Sequence, residues 1–256
     1  MRQGSILLVC LTVITLLCAA PVFADNATED LQSKVIERFD AADDAGKYEY
    51  RQNHRWIVRG SKFLSATNFK FDLISAYPQA LFPNAASTSD LKALGVQAAF
   101  DRRGYNYVEF VPVADKDVDG KPVEQGISLP GRVKNIDLWA WGSNYNYYLE
   151  LHLRDWRGEV HVLRVGDLNF RGWKNLRIEI PTSITQDVKY VPSQKGLELV
   201  KIVLWTRPEE KVDGFFFYID HIKAITDMFE SPFDGSALGD PASVEKLWAS
   251  SGSQTK

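Results

Sequence analysis

From Arg55 onward the chain is a succession of short apolar runs: RWIVRGSKF, NFKFDLI, VQAAFD, YNYVEFVPV, VKNIDLWAW, YYLELHLRDW, EVHVLRV, NLRIEIP, LVKIVLW and FFFYIDHI. Gly, Pro, Asn and Asp separate them at strand-plus-turn spacing, the pattern of an all-β, mainly antiparallel sandwich or barrel rather than of alternating strands and helices. Within the runs the side chains alternate. Tyr147, Leu149, Leu151 and Leu153 fall on one face and Tyr148, Glu150, His152 and Arg154 on the other, which predicts one core face and one wet face. Leu176, Ile178 and Ile180 repeat the arrangement against Arg177 and Glu179, and Pro181, which has no amide to donate, closes that strand. GFFFYIDHI is apolar on both faces and predicts a central strand sealed on both sides.

The ends differ from this body. MRQGSILLVCLTVITLLCAAPVFA combines one early charge, Arg2, with an apolar run and a small-residue ending, the layout of a secretory leader cleaved after Ala24. A retained anchor is disfavoured because about 15 apolar residues fall short of the roughly 20 needed to span a bilayer. A lipoprotein is disfavoured because Leu16 and Leu17, not small residues, precede Cys18. Next, Leu31, Val35 and Phe39 recur at intervals of four and predict a short amphipathic N-terminal helix. Tyr77 to Leu94 reads as a loop with one helical turn. Residues 231–256 read as an irregular, flexible or partner-bound tail with a short helix through Ser243 to Trp248. The expected organisation is a leader (1–24), one sandwich domain (25–230) and the tail.

Both cysteines, Cys10 and Cys18, lie in the leader, so the exported chain has no disulfide and must hold together through its core. Removing 24 of 256 residues leaves 232, enough to bury about 70% of the unfolded surface. The 30 basic and 33 acidic residues give a net charge of −3, which points to neither nucleic acid nor an anionic membrane surface as partner.

Motifs of catalysis are scarce. The four histidines (His54, His152, His161, His221) sit singly on strands or their edges and read as strand residues, although His152 and His161 flank the DWRGE turn and could face each other as a metal pair. The sequence has no GxSxG elbow, phosphate-binding glycine loop or dinucleotide fingerprint, and no spacing positions an acid pair for glycoside hydrolysis. DKDVDGKPVEQG places Asp115, Asp117 and Asp119 as a calcium loop would, but Gly126 replaces the closing Glu and Pro122 interrupts it, so it reads as a turn between strands.

The densest aromatic stretch, DLWAWGSNYNYYLELHLRDW, offers a binding surface. Alternation buries Ile136, Leu138 and Ala140 and leaves Trp139 and Trp141 outward, with Tyr148 expected across a hairpin from them, Tyr145 in the connecting turn and Trp156 at the DWRG turn. Trp139, Trp141, Tyr145, Tyr148 and Trp156 together make a candidate partner surface, either a protein-binding patch or a platform for stacking sugar rings. Trp173, at a strand start, reads as a plug for an open end of the sandwich.

The leader, ERFD near the exported N-terminus, RWIVRGSKF, the block LPGRVKNIDLWAWGSNYNYYLELHLRDWRGEVHVL, GWKNLRIEIP and FFFYIDHIKAITD, in this order, resemble the spirochaete flagellar filament outer-layer (sheath) protein family, FlaA. The likeness runs over roughly residues 25 to 230. It implies a structural, non-catalytic protein of the periplasmic flagellum that coats or borders a flagellin core and modulates filament shape, stiffness and motility. The implied partners are flagellin, other sheath proteins and further copies of the chain, with no cofactor and no membrane anchor in the mature protein. W-K-x-L-x-I-x-I-P and F-Y-I-D-x-I also resemble galactose-binding jelly rolls and carbohydrate-binding modules, which implies a jelly-roll sandwich and leaves a periplasmic carbohydrate-binding protein as the alternative.

Overall fold

A computed structural model describes residues 29–40, 48–85, 90–186, 196–228, 238–239 and 241–251; the expected leader, residues 1–24, lies outside them. The strands are β1 (Leu31–Glu37), β2 (Arg55–Gly60), β3 (Lys70–Ile74), β4 (Ala93–Ala98), β5 (Tyr107–Val113), β6 (Ile127–Ser128), β7 (Arg132–Ser143), β8 (Tyr148–Arg154), β9 (Val160–Asp167), β10 (Arg171–Glu179), β11 (Glu198–Trp205) and β12 (Phe215–Asp227). They form two antiparallel sheets of six. The first runs β10-β7-β12-β4-β3 with β1 also on β12; the second runs β2-β5-β11-β8-β9 with β6 also on β11. From β7 to β12 the chain passes between the sheets four times, leaving only β8 and β9 consecutive in one sheet. The result is a jelly-roll sandwich.

The alternation in the sequence explains the core. Ile136, Leu138 and Ala140 from β7, with Phe217 and Ile219 from β12, face Leu149, Leu151 and Leu153 from β8 and Ile202 and Leu204 from β11, each at most 2% exposed. Phe110 and Phe217 meet across the layers at 5.8 Å. Each of the Leu, Ile and Phe side chains contributes about 1.5–3 kcal/mol of burial. Leu176 and Ile180 are buried and Ile178 half-buried, with Arg177 and Glu179 outside, as their spacing predicts.

Three expectations are corrected. The predicted N-terminal helix is strand β1, paired with β12 from Leu31↔Asp227 to Val35↔Lys223. An interval of four is also two strand periods, so the apolar spacing fits both; the decision lies with β12. That 13-residue strand carries β7 along one edge; along the other it gives its first half to β4 and would leave its second half open without β1. Second, β12 is central but sealed on one face only: Phe215 and Phe217 are buried, whereas Phe216 is 48% exposed on the outer face. Third, the expected loop from Tyr77 to Leu94 ends early, because Ala93 and Leu94 already pair in β4. In the tail, helix α1 (Pro241–Ser251) contains the predicted Ser243–Trp248 segment and exposes Leu247 and Trp248. No helix among the described residues is long and apolar enough to cross a membrane.

Candidate functional site

The candidate surface residues do not form one patch. The turn after β7 carries the chain to the other sheet instead of closing a hairpin, so Trp139 and Trp141 lie on the outer face of the first sheet and Tyr148 on the outer face of the second. Tyr145, between them, stacks on buried Tyr147 at 5.3 Å and donates its hydroxyl to the Gly214 carbonyl at 3.1 Å. Its role is to close the end of the core. Burial, chiefly, pushes the Tyr147 phenol far above its ordinary range, and its hydroxyl donates to the Lys211 carbonyl. Trp156 stands 40% exposed at the β8–β9 turn with the Arg157 guanidinium over its ring at 5.1 Å.

Each outer face has its own aromatic row. On the first sheet, register aligns Trp173, Trp141, Tyr218 and Gly95 across β10, β7, β12 and β4. Trp141 meets Tyr218 edge-on at 5.4 Å, and Trp173 lies 6.5 Å from the same ring. Trp173 thus belongs to an outer row rather than plugging an end. Gly95 lets the row continue: a Cβ there would lie 2.8 Å from Ile74 Cγ1 and 2.9 Å from the Tyr218 ring. Exposed Phe216 adds to this face. Two residues along each strand, Trp139 pairs in register with Asp220. The Trp139 Nε1 and the Asp220 Oδ1 are both buried without a hydrogen-bond partner. Burial, first, raises the Asp220 carboxyl to about 6; nearby Asp40 adds to this and His221 opposes it. His221 takes φ 49° in the β12 bulge and packs edge-on against Phe82 of the long loop.

On the second sheet the row is Tyr107, Trp205 and Tyr148, across β5, β11 and β8. Trp205 lies 5.2 Å from Tyr107 and nearly parallel to Tyr148, at 13° and 6.4 Å. Arg164 and Arg207 both lie over Tyr148 and both pair with Asp167, while the Trp205 indole donates to Glu150 at 2.7 Å. Beside this row run Arg59, Glu109, Lys201 and His152. Burial would raise Glu109, but its bonds to Lys201 and Arg59 hold it below the carboxylate range. Burial and then Lys201 push His152 down, and its Nε2 is left without a hydrogen bond. Sequence reading missed Trp205 and Tyr107. The alternation of LVKIVLW and YNYVEF does put each on an outer face, but nothing in one strand says which neighbour stands beside it.

The remaining sequence candidates resolve locally. His152 registers with Val162 and His161 with Leu153, so the two histidines project from opposite faces and make no pair. His161 instead meets Asp155, its Nε2 lying 3.0 Å from Oδ2. His54 bonds to Glu37, a fully buried carboxylate that also accepts from the Trp56 indole and three backbone amides. Asp115 and Asp117 are held by Arg51 and Arg55. Asp119 and Gly120, at φ 51° and 71°, form a two-residue hairpin turn closed by Val118 and Lys121.

The profile of the family described as flagellar filament outer layer protein FlaA matches residues 49–233, more than half of the 256-residue chain. A putative flagellar filament outer layer-like protein of Brachyspira hyodysenteriae is 27% identical over 136 residues, 53% of this chain and 58% of its own length. A flagellar filament outer layer protein of Spirochaeta aurantia is 31% identical over 123 residues, 45% of this chain and 36% of its own. The chain thus aligns with less than two thirds of either relative. Among solved structures, the family 11 carbohydrate-binding module of a Clostridium thermocellum cellulase has TM-score 0.40 and 12% identity, over 80% of this chain and 99% of that one. TmCBM61, solved with β-1,4-galactotriose, has TM-score 0.35 and 17% identity, over 66% and 86%. The family match covers β2 to β12, both outer faces included, and the chain belongs to the flagellar filament outer layer protein family, FlaA.

Proposed function

We propose that this protein is a non-catalytic structural subunit of the outer layer of a periplasmic flagellar filament, bordering a flagellin core and tuning filament shape, stiffness and motility. The observation that carries this reading is the family match over residues 49–233. Its partners are flagellin, other outer-layer proteins and neighbouring copies along the filament. The first sheet's outer face, with Trp141, Trp173, Tyr218 and exposed Phe216, supplies the protein contact, since clustered aromatics are the residues that anchor such interfaces. Detergent-stripped periplasmic flagella should retain the protein; its complete release with the membrane fraction would sink the proposal.

A second reading assigns carbohydrate binding to the second sheet. What favours it is the nearly parallel Tyr148 and Trp205 pair bordered by hydrogen-bonding groups from Glu150, Glu109, Lys201 and His152. This moves the sugar platform expected at Trp139 and Trp141 to the opposite face. Retardation of the protein in a polysaccharide affinity gel, lost on Trp205→Ala, would support it; unretarded migration on a broad glycan panel would remove it.

A further inference from the structure

We propose that the β8–β9 turn is a divalent transition-metal site, with zinc the ion that fits it best. Its ligands are the Asp155 carboxylate, the Glu159 carboxylate and His161 Nε2. The site is independent of the filament role.

Asp155, Glu159 and His161 each offer one ligand atom, and the three atoms lie within 4.8 Å of one another. Asp155 Oδ1 accepts the amides of Arg157 and Glu159 at 2.9 and 3.0 Å. That Asx turn fixes the carboxylate and uses one oxygen only. The other, Oδ2, points at His161 Nε2 from 3.0 Å, close to the roughly 3.3 Å separating two ligand atoms of a tetrahedral ion bound at about 2.0–2.1 Å. Glu159, four residues on and exposed, can close the third position without disturbing the core.

Charge makes the second argument. The Asp155 side chain is only 3% exposed, and among the described residues its sole ionic partner is His161. A buried carboxylate with no Lys or Arg beside it is a place where a cation is stabilising. One imidazole with two carboxylates selects zinc, copper or nickel over the all-oxygen ions calcium and magnesium. Three protein ligands leave a fourth position for water.

Zinc chloride titrated calorimetrically into the metal-free full chain should give a saturable isotherm near one ion per chain. His161→Ala and Glu159→Gln should each weaken binding at least about tenfold, the low end of what even a ligand-orienting group contributes. His152→Ala, on the opposite face, should leave it unchanged. Cobalt substitution should produce the visible absorption of a tetrahedral ion. Thermal melts of the two ligand variants check folding, and Asp155 is left intact because its turn bonds are structural. A flat zinc isotherm, or binding that survives both substitutions, overturns the proposal.

Discussion

Trp141 and Tyr148, neighbours in one aromatic stretch, stand on opposite outer faces of the sandwich, because the chain between them changes sheets. Their substitutions should therefore have separable consequences. Trp141→Ala with Phe216→Ala should leave the far-ultraviolet spectrum unchanged and reduce incorporation into purified filaments about five- to thirtyfold, the equivalent of one to two contacts of about 1 kcal/mol each. Tyr148→Ala should assemble normally. Equal loss from both faces would show that the assignment of the first sheet to the protein contact is wrong.

Glu37 joins the two sheets at one end: it ends β1 of the first sheet and accepts from His54 and Trp56 at the start of β2 in the second. Removing it strands the Trp56 indole and three backbone amides in a dry site. Glu37→Ala should cost about 3–5 kcal/mol, the range for breaking a buried charged network, readable as a fall in the denaturation midpoint. A change below about 1 kcal/mol would mean that water replaces the carboxylate.

Asp220 makes stability depend on pH in a defined direction. Its folded pKa, about 6, lies above the ordinary 3.8, so the folded state holds the proton more tightly. The neutral form carries no penalty below pH 4, and the penalty grows as pH rises through 6. The advantage of Asp220→Asn over the natural protein should therefore increase by roughly 2 kcal/mol between pH 4 and pH 7.5. Taking the difference between the two proteins cancels the opposite trend of Glu109 and Asp155. A pH-independent difference would show that Asp220 finds a partner when ionised.

Gly95 is required by close approach rather than by its dihedral angles. Gly95→Ala places a methyl against Ile74 and the Tyr218 ring, and should destabilise the fold by about 1–3 kcal/mol as an overpacked site. Tryptophan fluorescence should report the displaced row as well, since Tyr218 packs on Trp141 and Trp173.

Alternation along single strands was enough to place the core: Leu138, Ala140, Leu149, Leu151 and Leu153 are all fully buried, and Ile136 nearly so. The DKDVDG turn was also legible, because Asp-Gly favours the positive φ that a two-residue hairpin needs. The N-terminal segment was not. Its four-residue spacing suits a helix and a strand alike, and only the edge of β12 left open beyond β4 distinguishes them.

The site divides in the same way. Which side chains leave the core is local chemistry, written in a period of two, and the sequence alone determined that Trp139, Trp141 and Tyr148 turn outward. Which sheet each strand joins depends on pairing between segments far apart in the chain, as when Trp205 is set between Tyr107 and Tyr148. Only the tertiary structure decided that one aromatic stretch feeds two surfaces. It also turned His152 and His161 away from each other and brought His161 to Asp155. The reason is physical: alternation is imposed by the backbone of each residue's own strand, whereas neighbours across a sheet are chosen by register and by the burial of the whole core.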